Sequence, residues 1–166
     1  MEENYKDEMI VIDNVNRYNE IFGLETKHPL VSIIDLTKST TWPTRAWFRY
    51  EVYALFLKNV KCGDIKYGRQ YYDYQDGTIV CFGPGQITDL ELIQNIQPNA
   101  HGLLFHPDLI RGTSLGQEIK NYSFFSYETN EALHLSEEER QIVMDCLQKI
   151  SIELNHAIDR HSRRLI

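Results

Sequence analysis

Apolar residues recur along this chain in two rhythms. Ile10, Val11, Val15, Tyr18, Ile21 and Phe22 fall at roughly helical spacing and stop at Gly23, which predicts a short opening helix with a glycine at its C-terminus. Beyond it the rhythm shortens. Runs at 30–36, 47–57, 65–72, 78–82, 101–106 and 122–127 are rich in β-branched and aromatic residues and are bounded by Gly, Pro, Asn and Asp. Each run predicts a strand, with 58–64 and 75–77 as turns.

In the run 47–57, Phe48, Tyr50, Val52, Ala54 and Phe56 alternate with Trp47, Arg49, Glu51, Tyr53, Leu55 and Leu57. That alternation suits a strand whose two faces meet different surroundings. Short strands at close spacing predict an antiparallel sandwich or barrel, and the lack of long helical crossovers argues against a parallel sheet.

The last thirty residues return to a helical period. Ser136-Glu137-Glu138-Glu139 is a capping box: the serine caps the first turn, the glutamate three residues on reaches back, and acidic groups sit at the positive end. Behind it Val143, Leu147, Ile150, Leu154 and Ala157 are spaced 4, 3, 4 and 3. Such a seam fits either a coiled-coil-like contact between two copies or a helix laid on its own domain. Arg160, His161, Arg163 and Arg164 follow, with no Gly, Asn or Pro stop signal before Ile166, so the sequence is expected to be a piece of a longer chain. The rhythms divide the chain into a helical segment at 1–27, a β-rich body at 28–134 and a C-terminal helix at 135–166.

Composition narrows the functional classes. With 166 residues, 42% apolar and 25% charged, the chain is long enough for one cored domain and is neither disordered nor membrane-embedded in character. A formal charge of −7 gives no general basic field for nucleic acid. Three scattered cysteines without a CxxC pair fit reduced thiols better than a disulfide framework. Neither a basic, apolar leader nor an 18-residue apolar run occurs, so a cytoplasmic protein without a membrane partner is expected.

The stretch YGRQYYDYQDGTIVCFGPGQ at 67–86 offers three readings: a phosphate loop, a metal loop, or a turn between strands. FGPGQITDL lacks both the Lys-Ser/Thr pair of a P-loop and the GxGxxG of a dinucleotide loop, and its proline removes a backbone N–H that a phosphate cradle would use.

GTIVCFGPGQIT at 77–88 is similar to the second cupin motif: a Gly, mostly apolar residues, a Pro/Gly-rich turn, then a metal histidine. Together with LLFHPDLIRGTSLG and FFSYETNEALHLSEEER, the stretch resembles the N-terminal domain of AraC-type transcriptional regulators over roughly residues 28–166. The resemblance implies an α+β fold, mainly β. It would be an antiparallel cupin-like β-barrel, or double-stranded β-helix, followed by a C-terminal amphipathic helix. It further implies a domain that senses an effector and dimerises, and a separate helix-turn-helix domain, absent from this sequence, that binds DNA.

A cupin metal site would need an H-x-H pair, a glutamate and a third histidine after the Gly-Pro turn. That third position falls at Thr88, and no histidine lies between His28 and His101, so neither a metal nor another cofactor is expected. His101 and His106, five apart on one expected strand, point to opposite faces, and His106 reads as structural. His156 and His161 read as surface or interface residues. Gly112-Thr113-Ser114-Leu115-Gly116 matches a nucleophile elbow in spacing only, because it follows HPDLIR rather than a strand. No catalytic residue is assigned.

A barrel that holds a small molecule would line it with aromatic faces and a few polar groups. Tyr53, Tyr67, Arg69, Tyr72 and Phe105 are the candidates, with Arg69 suited to a carboxylate or sugar hydroxyl; the competing reading is that ten tyrosines mostly fill cores. Val143, Leu147, Ile150 and Leu154 are the candidates for dimerisation. The expected partners are a small polar effector such as a sugar, a second copy of the chain, and DNA only through the further domain. The alternative is a metal-free cupin enzyme, of sugar isomerase or epimerase type, working through a Tyr/His acid–base pair.

Overall fold

The computed structural model describes residues 9–58, 63–67, 70–72, 77–92, 95–125 and 132–156, with the strands at 63–67 and 70–72 known by their backbone pairing alone. It is a mixed α+β fold, mostly sheet. In chain order the elements are β1 (Met9–Ile12), α1 (Val15–Phe22), β2 (Val31–Asp35), β3 (Arg45–Tyr50), β4 (Tyr53–Lys58), β5 (Gly63–Tyr67), β6 (Gln70–Tyr72) and β7 (Thr78–Phe82). Then come β8 (Ile87–Leu92), β9 (Ala100–Phe105), α2 (Ser114–Glu118), β10 (Leu133–His134) and α3 (Glu137–Leu154).

Among the described residues, ten strands form two five-stranded sheets, ordered β1-β3-β8-β5-β6 and β10-β7-β4-β9-β2. The alternation in the sequence explains how they share a core. In the first sheet Phe48, Tyr50, Leu90 and Leu92 point inward; in the second Ile34, Ala54, Phe56, Val80, Phe82 and Leu104 point back at them. α1 adds Tyr18 and Phe22, whose rings stack at 4.5 Å, and Tyr50 stacks on Phe82 at 5.1 Å. Aromatic side chains therefore fill the space between the sheets. At Gly102 an added Cβ would stand 2.6 Å from the Leu55 carbonyl oxygen and 2.7 Å from the Phe56 ring, so the missing side chain makes the room that ring occupies.

Several expectations need correction. The run 47–57 is two strands, because the chain leaves the first sheet at Tyr50 and enters the second at Tyr53. The inward phase of Phe48, Tyr50, Val52, Ala54 and Phe56 runs unbroken through that corner, so period-2 patterning could not reveal it. The run 65–72 is the hairpin β5–β6, with Tyr67 opposite Gln70. The opening helix begins only at Val15, where the Asn14 side chain accepts from Arg17 N at 2.9 Å; Met9–Ile12 is instead a strand, parallel to β3. β8 lies outside the expected runs, although Thr88, Leu90 and Leu92 alternate with Ile87, Asp89 and Glu91 in the manner of a half-buried strand. Ser123–Phe125 is a 3-10 turn, not a strand. The two sheets do not join into a closed barrel among the described residues.

The C-terminal helix starts where its capping box places it. Glu139 N donates to Ser136 Oγ at 3.2 Å and Ser136 N donates to Glu139 at 2.7 Å, and those bonds hold the Glu139 carboxyl below its ordinary pKa.

Candidate functional site

α3 lies over the outer face of the second sheet, the face turned away from the shared core. There Val31, Phe105, Leu109, Ile110 and Ile119 form a second apolar cluster with Leu154, and Ile33, Tyr53, Leu55, Leu103, Phe125 and Ile150 pack against it. Where α3 passes the edge strand β2, helix and sheet part to leave a cleft of about 390 Å³, within the range of small-molecule sites.

Three walls build the cleft. β2 gives Val31, Ile33 and Asp35 as an apolar floor with an acid at one end, and His101 stands beside Asp35 in register on β9. α3 gives Met144, Leu147, Ser151 and Leu154, four positions on one helical stripe. The third wall is the extended segment 23–27. It leaves α1 at Gly23, which has φ +64°, and Asn19 holds it by donating to Thr26 Oγ1 at 2.9 Å and the Glu25 carbonyl oxygen at 3.3 Å, while also reaching Ser32 Oγ on β2 at 3.1 Å. Lys27 Nζ donates to Asn155 Oδ1 at 2.6 Å, tying this wall to the C-cap of α3.

Charge is set around an apolar middle. Asp35 accepts from Thr37 N at 3.1 Å and lies 3.9 Å from both Lys38 Nζ and His101 Nδ1. Glu25 and Lys27 add one charge of each sign on the opposite wall. The cleft thus combines an apolar floor with a polar rim.

Of the residues expected to bind a ligand, the structure describes the side chains of two and sets them side by side. Tyr53 and Phe105 stack at 5.0 Å on the outer face of the second sheet, with Phe125 edge-on to Tyr53 at 5.2 Å, so they help seat the helices; burial raises the Tyr53 pKa. Tyr67 and Tyr72 are in the first sheet, on β5 and β6, and their side chains lie outside the described residues. Arg69 lies outside them altogether.

Of the α3 seam, Leu147 and Leu154 are each 9% exposed and Ile150 packs into the second cluster. Val143 is half-buried. The seam faces the chain's own sheet, and the apolar residues that α3 turns to solvent are Ile142 and Ile152, 55% and 49% exposed. The cleft residues Asp35, Lys27, Met144 and Ser151 escaped the sequence reading because none carries a motif; only topology makes them neighbours.

Thr88, where the resemblance implied a cupin's third histidine, points into the core of the sandwich and is hydrogen-bonded to Tyr50, whose pKa burial raises. His106 is structural, its Nδ1 accepting from Asp108 N at 3.1 Å. Buried His28 accepts from Leu30 N through Nδ1 at 3.0 Å, and desolvation lowers its pKa. Burial pushes the Cys81 thiol up to about 12. No group of three or more His, Cys, Asp or Glu placed to hold a metal ion occurs among the described residues, and no helix among them is long and apolar enough to cross a membrane.

No protein-family model matches this chain. No curated protein matches its sequence. Among solved structures, the chain is similar to apo ToxT of Vibrio cholerae, an AraC-family regulator, at 9% identity and a TM-score of 0.46, with 85% of this chain and 52% of that one covered. The chain thus spans about half the length of that structure.

Proposed function

We propose that this chain is the effector-sensing and dimerisation domain of an AraC-type transcriptional regulator, a cytoplasmic protein whose DNA contacts are made by a helix-turn-helix domain beyond this sequence. The sequence motifs at 77–88 and 103–116 support the family, and one structural observation carries the sensing role: the β2–α3 cleft. One wall belongs to the sheet and the other to α3, so a small polar effector, a sugar among the candidates, would bias the position of the helix by its differential contacts with the two. The domain needs no metal for this and performs no chemistry on the ligand.

The test is a thermal-shift panel of sugars and other small polar compounds on the chain. Each hit is repeated on a Ser151→Trp variant, whose indole occupies the cleft, and its fate is followed by NMR. Shifts that vanish in the variant, with the compound recovered unchanged, support sensing at this site. Shifts that persist in the variant, or a compound that is isomerised, overturn it.

A further inference from the structure

The face of the second sheet that floors the cleft changes character along its length. β2 and β9 are antiparallel neighbours whose outward side chains stand in rows: Val31 beside Phe105, Ile33 beside Leu103, then Asp35 beside His101. Two apolar rows thus end on a carboxylate and an imidazole, each a quarter exposed and both lining the cleft. On the opposite wall α3 continues the apolar surface with Met144, Leu147 and Leu154.

The polar end offers charge of both signs. Thr37 donates its N–H at 3.1 Å and its hydroxyl to Asp35 Oδ1, which fixes the carboxylate, while Oδ2 accepts no hydrogen bond among the described residues. Lys38 Nζ stands 3.9 Å from Oδ2 on a side chain that is 78% exposed, and His101 Nδ1 stands 3.9 Å from Oδ1; neither distance is a hydrogen bond. An exposed ion pair of this length is weakly held, so a ligand can enter between its partners. A simple anion there meets Asp35, and a simple cation meets Lys38. A head group with an ammonium and a carboxylate on one carbon suits both, the ammonium donating to Asp35 Oδ2 and the carboxylate accepting from Lys38 and His101.

We propose that the cleft takes an α-amino acid with an apolar side chain, its head group at Asp35, Lys38 and His101 and its side chain against Ile33 and Leu147. A volume of about 390 Å³ is at the small end of ligand pockets and suits a molecule of that size. The inference rests on the β2–α3 cleft being the effector site, and it narrows the effector to an amphipathic zwitterion, which a sugar is not.

Amide NMR titrations of the chain test it, with L-leucine, L-methionine and L-phenylalanine as probes. At least one should shift amides of β2 and α3 saturably, and Ser151→Trp should abolish the shift. The deaminated and decarboxylated analogues of that binder, isocaproate and isoamylamine in the case of leucine, should each bind at least about tenfold more weakly, since each loses one charge-assisted contact. Glycine, with no side chain for the floor, should lose at least about as much. Asp35→Asn keeps an oxygen for the Thr37 donors and removes the charge; it should weaken the amino acid about tenfold without weakening the deaminated acid, and a melting curve matching wild type excludes loss of fold. Silence from all three amino acids, shifts that survive Ser151→Trp, or analogues that bind as well as their parent overturn the proposal. If a sugar then shifts the wild-type chain and not Ser151→Trp, the zwitterion alone is wrong and the cleft remains the effector site; silence from every compound sinks both.

Discussion

Gln86 Nε2 donates to the Phe125 carbonyl oxygen at 2.7 Å, and its Oε1 accepts from Gly83 N at 2.6 Å. One buried amide therefore closes the Gly-Pro-Gly turn on itself and fastens it to the segment after α2. Gly83 belongs to the same joint, since an added Cβ would stand 3.0 Å from the Phe125 carbonyl oxygen. Replacing Gln86 with Leu keeps the volume and leaves a buried N–H and a buried C=O unpaired. Chemical denaturation should show a loss of about 2–3 kcal/mol, at least as large as for a truncation in the second apolar cluster.

That joint shows which features the sequence carried and which it could not. GPGQ is legible as a turn, because that depends on residue identity at a fixed offset. The partner of Gln86 is not legible: Phe125 is thirty-nine residues away, and no local pattern links them. The same division runs through the fold. The capping box at Ser136 sets the start of α3, whereas the seam Leu147, Ile150 and Leu154 states only that one face is apolar; whether a second copy or the chain's own sheet covers it depends on topology. Tyr53 and Phe105 stand out in the sequence by residue type, and only the fold shows that they point away from the space between the sheets.

The placement of the seam gives a second test. Leu154→Ala removes buried surface from the cluster beneath α3 and should cost about 2–3 kcal/mol of monomer stability in urea melts. Ile152→Ala, on the solvent side of the same helix, should stay within about 0.5 kcal/mol of wild type. A concentration-dependent effect for Leu154→Ala would instead place the seam between copies.

Lys27 and Asn155 give a third. Their 2.6 Å bond joins the cleft's outer wall to the end of α3 and is exposed, so its loss should cost little global stability, under about 0.5 kcal/mol. Its effect is local: Lys27→Met should speed amide exchange in the last turn of α3 while leaving the first turn, held by Ser136 and Glu139, unchanged. Equal acceleration at both ends would show that the tie does not govern the cleft.

Acidification provides the last. His28 is 6% exposed and uses Nδ1 as an acceptor for Leu30 N, a role open only to the neutral ring. Burial lowers its pKa in the folded chain relative to the ordinary 6.5, so between the two values the unfolded chain binds more protons. The contribution is complete above 6.5 and is lost as pH falls through the lowered folded value, a loss on the order of 1 kcal/mol if the bond goes with it. Asparagine offers an Oδ1 in nearly the place of Nδ1 and does not titrate. His28→Asn should therefore match wild type at neutral pH in stability measured by denaturant melts, and show a shallower decline as pH falls through 6 to 5. Parallel declines for the two proteins would assign the acid sensitivity to other groups.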